Sequence, residues 1–80
     1  MPTDLKLLKE FIARSGYKTA YIAQFMGISK GSYFNKINGH TDFTVMEVNK
    51  LKALLSLTET DIIAIFFSYN VNTTPIIEIL

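Results

Sequence analysis

The apolar positions of the chain fall in short stretches of helical spacing, each closed by a glycine or a polar stop. Leu5, Leu8 and Ile12 lie at i, i+3 and i+7, and Leu7 and Phe11 widen the stripe. That period predicts a first helix with Thr3 as its cap, Asp4 at its positive end and Ser15-Gly16 as its stop. A second helix is predicted from Lys18 or Thr19 to Phe25 or Met26, with Ile22, Ala23 and Met26 inward and Gly27 as its stop. A third follows from the N-cap Ser29 to about Asn38, closed by Gly39. Gly27 and Ile28 alone separate Met26 from Ser29, so these two helices must cross steeply, which is a helix-turn-helix arrangement. Thr44 and Glu47 form a capping box that opens a fourth helix with Val48, Leu51 and Leu55 inward and Lys50 and Lys52 outside. Thr58 and Asp61 open a fifth, Glu59 to about Ser68, whose Ile62, Ile65 and Phe66 face the core while Ile63 and Phe67 lie elsewhere. After it come Asn70, Asn72, Thr73, Thr74 and Pro75, which break helix. Ile76 to Leu80 is apolar and β-branched, and reads as a strand or extended tail. The expectation is an all-α domain over residues 1–68 and a tail over 69–80.

Eighty residues with 49% hydrophobic and 19% charged positions suit one small folded domain. There is no cysteine and one histidine, His40, so disulfides, thiol chemistry and histidine-pair metal sites are all excluded. The absence of a leader-like N-terminus and of a long apolar run points to a cytoplasmic protein without a membrane partner. The carboxylates are scattered, mostly at helix starts, and no phosphate-cradling glycine loop is present. No catalytic residue, metal or cofactor is therefore expected, and no small-molecule ligand.

Charge changes the picture more. Residues 1–41 carry six Lys and Arg against two acids, and residues 42–80 carry two against five, although the whole chain is only +1. From Phe11 to Thr41 there is no acid at all. A basic half of this kind suits a polyanion or is a chance clustering of solvated charges.

On a helical wheel, Tyr33 and Ile37 share one side of the third helix and must face the core. Gly31, Asn35 and Asn38 then fall opposite, with Phe34 on the flank and Lys30 at the N-terminal end. A glycine inside a helix costs up to about 1 kcal/mol relative to alanine, so something is expected to offset it. The outer face fits a DNA major groove. Asn35 can bond adenine through its amide, Lys30 can donate to guanine, Phe34 can pack on a thymine methyl, and Gly31 lets the backbone approach. Around it Lys18, Thr19, Ser29, Lys36, Asn38, His40 and Thr41 can bond phosphates. The plain alternatives are exposed amides, solvated lysines and a Phe34 packed on a neighbouring helix.

The segment Gly16-Tyr17-Lys18-Thr19-Ala20-Tyr21-Ile22-Ala23-Gln24-Phe25-Met26-Gly27-Ile28-Ser29-Lys30-Gly31-Ser32-Tyr33-Phe34-Asn35-Lys36-Ile37-Asn38-Gly39 resembles the helix-turn-helix of the phage Cro and CI repressors, the lambda-repressor-like or XRE-like family. It is most similar to small Cro-type regulators of phages of Gram-positive bacteria, and the likeness runs from about Leu5 to Phe67. The resemblance implies a five-helix DNA-binding domain in a bacterial host cell. It places base readers on Lys30, Gly31, Phe34 and Asn35, and a second-helix phosphate contact on Thr19. The chain departs from the family at Lys18, where Ser or Thr is usual, and at Gly31, where a polar reader is usual. The length leaves no room for the self-cleaving domain of full-size CI repressors, so a Cro-like role is expected. Such regulators bind near-palindromic operators as dimers, with half-sites about 34–36 Å apart. The spare apolar residues Ile63, Phe67, Ile76, Ile77, Ile79 and Leu80 are the expected homodimer interface, unless the tail folds back on its own core. A helical protein-interaction module, antitoxin-like or an antirepressor partner, is the alternative function.

Overall fold

The computed structural model describes residues 3–67, which form five α-helices and, among the described residues, no strand. The helices are α1 (Leu5–Ser15), α2 (Thr19–Met26), α3 (Lys30–Ile37), α4 (Val45–Leu55) and α5 (Glu59–Phe66). The expected tail, and with it Ile76, Ile77, Ile79 and Leu80, lies outside the described residues.

Local chemistry accounts for the helix ends. Asp4, not Thr3, caps α1: its carboxylate accepts from the Leu7 amide at 3.0 Å. The longer reach and charge of the carboxylate suit it to the orphan amides better than the preceding hydroxyl. Ser29 caps α3 by accepting from the Ser32 amide. Thr44 and Thr58 open α4 and α5 with complete capping boxes, their partners being Glu47 and Asp61. Lys18 stands before α2 without a side-chain cap. At the other end of α2, Gly27 turns into the left-handed region at φ 76°, which a glycine enters without steric cost. That single inversion lets α3 start three residues later.

The core is built where all five helices meet. Leu8, Ile22, Ala23, Met26, Tyr33, Ile37, Leu51, Ile65 and Phe66 are buried, which matches the inward faces read from the helical period. Phe43 and Leu57 are buried as well, although both sit in loops where no period marks them. Phe43 meets Phe66 edge to face, with ring centres 5.8 Å apart. α2 packs on α3 and α4, and α1 packs on α4 and α5. The Asp4 amide donates to the Ile65 carbonyl at 2.6 Å, joining the start of the domain to its last helix. No buried side-chain polar atom among the described residues lacks a partner, as a core must have if burial is not to cost stability.

Three further expectations need correction. Lys50 does not stand outside: its ammonium donates to the Met26 carbonyl at 3.3 Å in a partly buried contact. α5 ends at Phe66 rather than near Ser68, and Phe67 packs half-buried against the core instead of lying on a separate face. Ile63 does stay exposed. Lys52, expected outside, is half-exposed and pairs with Glu59. Among the described residues no helix is long and apolar enough to cross a membrane.

Candidate nucleic-acid interface

The orientation of α3 decides what this molecule presents. Tyr33 and Ile37 are 3% and 6% exposed, so they are the inner face of the helix. Burial raises the Tyr33 phenol above its ordinary pKa, which keeps it neutral. The same turn of helix then points Gly31, Asn35 and Asn38 to solvent, and all three are exposed. Phe34 is 46% exposed on the flank, with its ring against the edge of Tyr33 at 5.8 Å. Lys30 is exposed at the first position of the helix. The four expected base readers therefore share one outward surface.

Gly31 has no internal reason to be glycine. Its φ is not positive, and a Cβ built there would meet only the Ser29 hydroxyl at 3.9 Å, an ordinary contact. Gly39 is a contrast: it has φ 86°, and a Cβ there would press on Leu5 at 3.1 Å. The bare backbone at Gly31 is thus a property of the surface and not of the packing.

The expected phosphate ligands divide into two groups. Lys18, Ser29, Asn38, His40 and Thr41 are exposed, and Thr19 is half-buried at the start of α2. The backbone amides of His40 and Thr41 are already committed, both donating to the Asn35 carbonyl, which leaves their side chains for any outside contact.

Lys36 behaves differently. Its ammonium lies 3.0 Å from Glu47 Oε1 and donates to the Asp42 carbonyl at 3.0 Å, and the two paired side chains are only 14% and 12% exposed. It is a tie between α3 and α4 rather than a solvated cation. Sequence reading missed this partnership, and with it the Lys50 contact. The available signal was that Glu47 and Lys50 are three residues apart on α4, hence on one face, beside the inward Leu51.

Partial burial acts to raise the Glu47 pKa, but the Thr44 amide and the Lys36 ammonium outweigh it, and the carboxyl titrates below its ordinary 4.5. A depressed carboxyl contributes stability that is present above its unfolded pKa and fades as pH falls through the folded one. Acid titration of thermal stability should therefore show wild type losing more than Glu47→Gln below pH 4.5. Equal losses in the two proteins would show that the pair adds nothing. Glu59 is also lowered, by its hydrogen bond and attraction to Lys52, but it is fully exposed.

A cavity is a poor alternative as the site. A hollow of about 180 Å³ beside Leu5, Gly39 and Phe43 is smaller than small-molecule pockets of roughly 300–1,000 Å³. The outward face of α3 carries Lys30, Phe34 and Asn35, and the helix has no acidic residue. No protein-family model, curated protein or solved structure matches this chain.

Proposed function

We propose that the protein is a sequence-specific DNA-binding transcriptional regulator of the Cro-like phage type, not an enzyme, with α2 and α3 as its helix-turn-helix and α3 as the helix that enters the major groove. The observation that carries this reading is the outer face of α3. It offers a lysine, an aromatic ring and two amides around a glycine that nothing inside the protein requires. A major groove is wide enough for one such helix, and a missing side chain at Gly31 lets the backbone come close to the bases. Lys30 and Asn35 are placed to read base edges, with Phe34 available for a thymine methyl. Lys18, Thr19, Ser29, Asn38, His40 and Thr41 surround them as phosphate ligands. A regulator of this kind acts in the cytoplasm of a bacterial host cell.

Gly31→Ala separates this reading from a plain solvated helix. Alanine should stabilise the domain by several tenths to about 1 kcal/mol, because it favours helix and restricts the unfolded chain. The same substitution should weaken binding to a duplex selected by the wild type from a random pool. Wild-type binding should also fall steeply with salt as counterions are displaced from the phosphates. A stabilised variant with unchanged affinity, or a wild type that binds no duplex in a salt-dependent way, would remove the basis for the proposal.

One helix reaches few bases, so the operator is proposed to be near-palindromic and filled by a homodimer. Exposed Ile63, 48% accessible on α5, belongs to the apolar surface available for that contact. Sedimentation at micromolar concentration should give twice the chain mass, and Ile63→Asp should return the monomer. A wild-type monomer that also fills both half-sites independently would exclude this arrangement.

A further inference from the structure

We propose that α4 sets the pose of α3 through two polar ties, and that Lys36, Glu47 and Lys50 are positioning residues for DNA recognition and not ligands of DNA. The inference rests on the reading of α3 as the helix that meets the bases.

The first tie holds the end of α3. Lys36 stands in its last turn, and its ammonium is shared between Glu47 Oε1 and the Asp42 carbonyl, each at 3.0 Å. The same Glu47 oxygen accepts from the Thr44 amide at 2.9 Å. One carboxylate therefore completes the cap of α4 and anchors the last turn of α3. Both side chains are mostly withdrawn from water, so salt screens the pair less than it would an open surface pair.

The second tie holds the joint before α3. The last turn of α2 has no basic residue of its own. Lys50 reaches it from α4 and donates to the Met26 carbonyl, where a positive charge suits the negative end of the helix. A Cβ at Gly27 would lie 3.5 Å from that ammonium, so the lysine lies directly against the turn.

α3 is eight residues long and has only Tyr33 and Ile37 buried. Two apolar anchors fix the depth of a helix better than its direction. Glu47 adds a directional contact at the last turn of α3, and Lys50 adds one at the end of α2 just before the turn into α3; the two stand three residues apart on the same face of α4. Base reading needs side chains held to within about 0.5 Å, so small tilts of α3 matter.

Opposite charges give the idea a sharp test. A cation that binds phosphate and an anion that repels it should have opposite effects when removed, whereas two halves of a positioning tie should have the same effect. The probes are a duplex selected by the wild type from a random pool and a scrambled duplex of equal length. The variants are K36M, K50M and E47Q, the last of which retains the hydrogen bond to the Thr44 amide that a capping box needs. Each should lower affinity for the selected duplex about threefold and leave the slope of log affinity against log salt unchanged. K36R should retain wild-type affinity, and the K36M/E47Q double variant should lose no more than either single one.

A K36M slope reduced by about 0.9, together with tighter binding by E47Q, would make Lys36 a phosphate ligand and overturn the proposal. Should E47Q fail to fold, the K36M slope decides alone. Residual dipolar couplings of the free variants give a readout without DNA: α3 amide vectors should reorient relative to α4, and unchanged vectors overturn the proposal. A wild type that binds neither duplex defeats the regulator reading instead, and the couplings still decide whether the ties orient α3.

Discussion

Phe66→Ala should cost about 3–5 kcal/mol, the usual range for removing a buried phenyl ring. A chain of 80 residues has only about 4–12 kcal/mol of stability in all, so this one change should consume much of it. Phe66 has no exposed surface, and its ring meets Phe43 edge to face. It also follows Ile65, whose carbonyl holds the Asp4 amide. The cavity would thus open where α5 meets both the loop before α4 and the start of α1. Urea denaturation followed by circular dichroism measures the effect. Ile63→Ala, three residues earlier on the exposed side of α5, should change stability by less than about 0.5 kcal/mol in the monomeric domain. A Phe66→Ala loss below 1 kcal/mol would mean that the site collapses around the missing ring or that Phe66 is not central to the core.

Asn35→Ala should cost about 1–3 kcal/mol of affinity for the selected duplex and relax discrimination at one base position. The substitution is a clean one. The backbone carbonyl of residue 35 holds the His40 and Thr41 amides, and alanine keeps it. The lost group is an exposed amide with no contact inside the domain that the fold depends on. Stability should accordingly stay within about 0.5 kcal/mol of wild type. Binding competition between the selected duplex and single-base variants gives the result. Undiminished preference at every position would mean that Asn35 does not read a base.

The helices were legible because each has its own local grammar. Glycines at 16, 27 and 39 and caps at Ser29, Thr44 and Thr58 mark boundaries, and the apolar period gives the inner face of every element. The misreading of Thr3 for Asp4 is a one-residue ambiguity between two good capping groups. Phe43 and Leu57 could not be read this way, since a loop residue has no neighbours at helical spacing to reveal its side. The outward face of α3 followed directly from Tyr33 and Ile37 pointing inward. The shared face of Glu47 and Lys50 was a local hint, but the groups that Lys36 and Lys50 meet could not be read locally, because Glu47 and Met26 lie 11 and 24 residues away in the chain. A lysine reads as a solvated charge until the fold brings an acceptor to it.

The Lys50 contact also limits how the protein can be taken apart. The segment from Gly16 to Gly39 looks self-contained, yet the carbonyl end of α2 is completed by a donor from far downstream. Cut out as a peptide or spliced onto a foreign scaffold, the two helices would leave behind the group that closes their joint. Their geometry belongs to the assembled domain, and the pair is not a transplantable cassette.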